Sequence, residues 1–165
     1  MRVAALALVC TGACAAPQPS PPLETTLVDM EQLQTLVQRP RSRALLVVFW
    51  ATWCDPCVEE IPDLVVLHDT SAEELEILGV SLDAFLHPAD QSLELVRQFL
   101  KTTPTPYAHV VYTGRQDPLF RFFDMPGGIP YAVLYDDQGR ALERFSGKVS
   151  PTSVQQALRP GSADG

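Results

Sequence analysis

Two periodicities alternate along this chain. Residues 44–50 (ALLVVFW) form an unbroken apolar, partly β-branched run, the pattern of a strand covered on both faces. Beyond Pro56 the period changes: Cys57, Ile61, Leu64 and Val65 fall at i, i+4, i+7 and i+8, one face of a helix. Pro62 lies inside that helix, where it removes a backbone donor and is expected to kink the axis. "LEILGVSLD" (75–83) predicts a second buried strand. Leu93, Val96, Phe99 and Leu100 mark a helix from about Pro88 to Lys101, and "YAHVVY" (107–112) a third strand. "DPLFRFF" (117–123) reads as a short helix. Residues 127–147 read as an antiparallel hairpin turning at Asp136-Asp137-Gln138-Gly139, with the glycine free to take a left-handed conformation. One more helix is entered at Asp29, with Met30, Leu33, Leu36 and Val37 as its stripe. Another is entered at Ser150-Pro151, with Val154, Ala157 and Leu158 buried. The order α-β-α-β-α-β-α-β-β-α predicts a mixed sheet with helices on both faces.

Composition narrows the function classes. The chain has 165 residues, enough for one domain with a proper core. With 46% apolar and 19% charged residues it is not a disordered chain. The net charge of -8, with no Lys or Arg run, excludes nucleic acid as the natural partner. The N-terminus carries Arg2, then a short apolar stretch Val3–Val9, then small residues. That stretch is too short to cross a bilayer and reads as a secretory signal. "TGAC" resembles the end of a bacterial lipoprotein signal, which makes residues 1–13 the signal and Cys14 the lipidated residue. Cleavage after Ala15 is the other outcome, with Ala13 and Ala15 supplying the A-x-A pattern. A Pro-rich tether is expected over 14–26, a folded domain over 27–160 and a flexible tail over 161–165. Either cut leaves Cys54 and Cys57 as the free thiols of an exported, periplasmic or extracytoplasmic protein, in a compartment where disulfides persist.

Three chemistries compete for Cys54-Asp55-Pro56-Cys57. Structural zinc needs four ligands, and His68, His87 and His109 fall in three separate predicted elements, so no metal is expected. An inert disulfide closing so short a loop adds little chain-entropy stabilisation. A redox dithiol fits the pattern better. The strand ends at Trp50 and Cys54 begins a helix, where unpaired backbone N–H groups and the helix dipole favour a thiolate. Cys57 lies one turn on, in the buried stripe. An exposed Cys54 that attacks and a shielded Cys57 that resolves are what disulfide exchange requires. No cofactor beyond the cysteine pair is implied.

"VVFWATWCDPCVEEIP", "GGIP", the "DDQG" hairpin and Gly147 resemble the thioredoxin-like superfamily, and more closely the exported TlpA/ResA-like thiol–disulfide reductases. The resemblance covers about residues 29–158. It implies an α/β thioredoxin-like fold: a mixed central sheet of four or five strands flanked by helices. It also implies an extra β-α segment relative to thioredoxin, assigned to residues 75–101. Pro130, after Ile129, matches the cis-proline that faces the cysteine pair across the substrate groove. Glu60 matches an acidic residue that assists proton transfer, and its position one turn beyond Cys57 suits a raised pKa. Trp53, Asp55 and Pro56 flank the attacking sulfur and would shape the client surface. Without the resemblance, Glu60 reads as a solvated helix residue and Trp53 as packing. Glu59 should face solvent, and His109 reads as structural. Two departures stand out. Val48 occupies the place of a buried Asp that in thioredoxin assists the resolving cysteine, which throws weight onto Glu60. Tyr131 stands where the family often has Thr.

Asp55 also sets a direction. A carboxylate beside Cys54 disfavours its thiolate and so destabilises the dithiol form, which biases the couple towards donating electrons. The expected activity is therefore protein disulfide reduction. The resemblance implies clients such as apocytochrome c or copper-site cysteines, and a membrane thiol transporter as electron donor. A lipid anchor at Cys14 would hold the protein, expected to be a monomer, at the membrane. Alternatives are a disulfide oxidase or isomerase, or a non-catalytic metallochaperone or binding module on the same fold. A peroxidase is disfavoured because no lone peroxidatic cysteine with its own activating arrangement is evident.

Overall fold

A computed structural model describes residues 24–159. The signal at 1–13, the lipidation site Cys14, most of the tether and the tail at 161–165 lie outside the described residues. The elements are β1 (Thr26–Val28), α1 (Met30–Gln38), β2 (Ala44–Trp50), α2 (Asp55–Ser71), β3 (Leu75–Ser81), α3 (Ala89–Thr102), β4 (Ala108–Tyr112), α4 (Gln116–Phe123), β5 (Tyr131–Tyr135), β6 (Ala141–Ser146) and α5 (Pro151–Ala157). The strands form a mixed sheet in the order β1-β4-β3-β2-β5-β6. The β1, β4, β3 and β2 neighbours pair in parallel, while β5 runs antiparallel to both β2 and β6.

Alternation along β2 decides which helices lie on which face. Leu45, Val47 and Phe49 pack with Leu33 and Val37 of α1 and with Leu119 and Phe123 of α4. Leu46 and Val48 face the other way, onto Leu64 and Leu67 of α2 and Val154 of α5. Trp50 continues that second face to Cys57, Ile61 and Val96. Each side chain buried in this way stabilises the fold by about 1.5–3 kcal/mol. Local signals agree with these placements. Asp29 and Gln32 form a reciprocal capping box at the start of α1. Asp136 accepts the Gln138 and Arg140 amides in the hairpin turn, where Gly139 has φ of +77°.

Two features, the strand count and the end of β3, differ from the sequence-based expectation. The sheet has six strands rather than four or five. The unforeseen β1 is only three residues long and too short to show a period; it pairs with β4 at the sheet edge and begins at Thr26. Strand β3 ends at Ser81, and Asp83–Phe85 then form a single 3-10 turn. Residues 75–101 form a strand and a helix, as the resemblance implies. Strand β3 lies beside β2 at the centre of the sheet. Helix α2 runs on through Pro62, which sits on its exposed side.

Candidate active site

The cysteine pair sits where the central strand meets α2. The Trp50 carbonyl accepts the Leu82 amide at 2.8 Å, which ties the end of β2 to the end of β3. The chain then turns through Ala51, Thr52 and Trp53, with the Cys54 amide donating to the Ala51 carbonyl at 3.2 Å. Cys54 is the N-cap of α2, and its carbonyl accepts the Cys57 and Val58 amides. A disulfide joins Cys54 to Cys57, with their Cα atoms 5.3 Å apart. Cys57 is 1% exposed, as its place in the apolar stripe requires. Cys54 is only 6% exposed in this oxidised state, so the freely exposed attacker expected from sequence is not what the structure shows. The cover comes partly from the segment before β5: the Ile129 carbonyl oxygen lies 3.8 Å from Cys54 Sγ, and the Ile129–Pro130 peptide bond is cis. Gly127 and Gly128 precede it with φ of +124° and +80°, values that a side chain would strain. Trp53 is 44% exposed beside the pair, and Asp55 and Pro56 are exposed as well.

Glu60 lies one helical turn beyond Cys57 and is 1% exposed. Its carboxylate accepts the Val149 amide at 2.5 Å. The Gly147 amide donates to the Pro130 carbonyl at 2.9 Å, so one short segment after β6 touches both the cis-proline and Glu60. Burial pushes the Glu60 carboxyl up to about 7; the Val149 amide and the Lys148 charge pull it down and Asp63 adds a small push upward. Glu59, its exposed neighbour, pairs with Lys148 instead.

The structure thus brings Cys54, Cys57, Ile129 and Pro130 together, with Trp53, Asp55 and Pro56 on the rim and Glu60 behind Cys57. Sequence reasoning missed Asp83. Its fully buried carboxylate accepts the Thr52 amide at 3.0 Å, the Thr52 hydroxyl at 2.5 Å and the Ser81 hydroxyl at 2.7 Å, fixing the loop that carries the cysteines. A polar residue directly after an apolar strand was the available signal. Among the described residues no cluster of three or more His, Cys, Asp or Glu could hold a metal, and no helix is long and apolar enough to cross a membrane. The arrangement is suited to two-electron exchange between a dithiol and a disulfide, with an acid of near-neutral pKa behind the second sulfur.

Many known proteins are similar to this chain in sequence or fold. The thiol–disulfide oxidoreductase ResA of Geobacillus thermodenitrificans is 25% identical over 133 residues, covering 80% of this chain and 71% of that protein. The thiol:disulfide interchange protein HelX of Rhodobacter capsulatus is 31% identical over 124 residues, covering 72% of this chain and 62% of that one. Among solved structures, a thioredoxin-related protein from Neisseria meningitidis serogroup B superposes with a TM-score of 0.60 at 25% identity, over 73% of this chain and 86% of that one. The family model described as AhpC/TSA matches residues 18–159, nearly the whole chain. By that match, and by a sheet that brings the cysteine pair opposite a cis-proline, this chain belongs to the AhpC/TSA family of thioredoxin-like proteins.

Proposed function

We propose that this protein is a thiol–disulfide oxidoreductase that reduces disulfides in client proteins. The observation that carries the reading is the Cys54–Cys57 disulfide at the start of α2, with Cys57 sealed below and Cys54 at the edge facing Ile129–Pro130. In the reduced protein, the Cys54 thiolate attacks one sulfur of a client disulfide. A mixed disulfide forms and the client's other sulfur leaves as a thiolate that takes up a proton. Cys57 loses its proton and attacks Cys54 Sγ, which re-forms the disulfide seen here and releases the client's second thiol. The client gains two electrons and the protein loses two. Trp53 and the Ile129–Pro130 segment would hold the extended client beside Cys54. Glu60, with a carboxyl near 7, would assist proton transfer at the site.

The direction rests on Asp55, exposed at the first position of α2 next to Cys54. Its carboxylate opposes the thiolate that a strong oxidant needs. The names of the similar ResA and HelX proteins support exchange chemistry. Export, a lipid anchor at Cys14, a membrane thiol transporter as donor and apocytochrome c or copper-site clients complete the reading from the N-terminal sequence and the resemblance. The test is to express Cys57→Ser in the native host. A variant that attacks but cannot resolve should accumulate mixed disulfides with its clients, identified after diagonal electrophoresis. No trapped species, together with tight stoichiometric copper binding, would assign the protein to the metal-binding alternative.

A further inference from the structure

Beneath the disulfide, on the α2 face of the sheet, lies a cavity of about 10 Å3 lined by Cys57, Val48, Trp50, Gly79, Tyr107 and His109 among others. That volume is close to what one water molecule requires. Two of the lining side chains carry buried polar atoms with no hydrogen-bond partner, Trp50 Nε1 and His109 Nδ1. Such atoms are costly to leave unpaired, and two of them at one small cavity mark a site for a polar guest.

Sheet register explains how the histidine comes to be there. Val48, Gly79 and His109 are paired in one row across β2, β3 and β4. Gly79 contributes no side chain, and the imidazole lies over it: a Cβ at position 79 would sit 2.3 Å from Nδ1 and 2.6 Å from Cε1. The ring is held between Tyr107 and Trp50, with centroids 4.9 Å and 5.2 Å away. His109 is 4% exposed. Its Nε2 lies 2.8 Å from the Thr105 hydroxyl, which is itself 3.5 Å from the Tyr107 carbonyl. With the hydroxyl proton directed to that carbonyl, Nε2 carries the ring proton and Nδ1 is left as a bare lone pair over Gly79. Val48 puts no acid under Cys57, whereas His109 reaches the same cavity from two strands away.

We propose that His109 Nδ1 accepts the proton of the Cys57 thiol during resolution, through one water held in this cavity by Trp50 Nε1–H. The Cys57 S–H bond breaks, its proton passes to the water, and a water proton passes to Nδ1. The Cys57 thiolate then attacks Cys54 Sγ and the protein disulfide forms. The departing client thiolate takes up a proton from solvent, and the imidazolium gives its proton back through the cavity water to solvent. The inference rests on the exchange chemistry proposed above. Burial lowers the His109 pKa to about 4, so the ring is neutral with its lone pair open at working pH; the imidazolium is disfavoured and exists only transiently, opposite the thiolate as it attacks Cys54 Sγ. The titratable groups around the imidazole are Cys57 and Glu60 on α2, Tyr107 just before β4, and His68 on α2, which packs on Tyr107 at 6.3 Å. Glu60 is bonded to the Val149 amide and does not line the cavity, which leaves His109 as the basic group at the interior side of Cys57.

The test separates the two chemical steps in the full chain carrying Cys10→Ser and Cys14→Ser, so that only Cys54 and Cys57 report. Mixing the reduced protein with dithiobis(nitrobenzoate) releases one coloured thiolate when Cys54 attacks and a second when Cys57 resolves. His109→Phe and His109→Asn should leave the first phase within about twofold. Both should slow the second phase by at least about tenfold at neutral pH and give it a hydroxide dependence of about tenfold per pH unit. The unchanged first phase shows that the site is folded, and the Asn variant carries the test where Phe does not fold. A second phase within about twofold of wild type in both variants, or equal slowing of both phases, overturns the role of His109. If the unsubstituted His109 protein shows no second phase, the exchange reading itself fails.

Discussion

The Glu60 carboxyl starts from an ordinary pKa of 4.5 and is raised to about 7 in the folded protein, chiefly because burial disfavours its charged form. An acid raised on folding binds its proton more tightly in the native state. Its contribution to stability is therefore complete below the unfolded value, declines as pH rises from about 4.5 to about 7, and is flat above. The difference amounts to about 3 kcal/mol. Glu60→Gln keeps an acceptor for the Val149 amide and has no proton to lose. Denaturant unfolding of the oxidised variant should lack this decline, so that its stability relative to wild type grows by about 3 kcal/mol across that window. A constant difference would contradict the burial account. The carboxylate was visible in sequence only through the resemblance, because helical spacing alone makes Glu60 an ordinary solvated residue. What periodicity could not give is Val149, 89 residues away, whose amide meets the carboxylate. His109 was likewise read as structural, since the row that places it over Gly79 exists only once β3 and β4 are in register.

Helices α1, α2 and α3 were legible because each keeps its apolar stripe for two or more turns, and β2 because seven apolar residues in succession admit few other readings. Strand β1 was not, since three residues show no period and its only sheet partner is β4. The loop between β2 and α2 is the element on which the chemistry depends most, and its anchor also lay beyond local reading. Asp83 collects three donors, two of them from Thr52, 31 residues earlier. Asp83→Ala removes the common acceptor, leaving the Thr52 amide and hydroxyl and the Ser81 hydroxyl without it. We expect a loss of about 1–3 kcal/mol, seen as a lower urea midpoint with an unchanged slope. A midpoint equal to wild type would mean that the loop is held by its backbone bonds alone.

Across the whole molecule, each part of the sheet supplies one piece of the exchange site. The β2–α2 junction carries the sulfurs, the entry to β5 carries the cis-proline, and the segment between β6 and α5 closes over Glu60. The fold class was readable from the alternation of periods and from "WATWCDPC"; the burial of Cys54 was not, since it depends on Ile129 approaching from 75 residues away. Direction is a property of the assembled couple. The helix N-terminus favours the Cys54 thiolate, the Asp55 carboxylate opposes it, and the balance fixes the potential. A redox titration of the Cys54–Cys57 couple against glutathione or thioredoxin at neutral pH tests the central claim most directly. A reductant should equilibrate close to thioredoxin's potential of about -270 mV, whereas a value near the about -120 mV of the periplasmic disulfide oxidase would contradict the account.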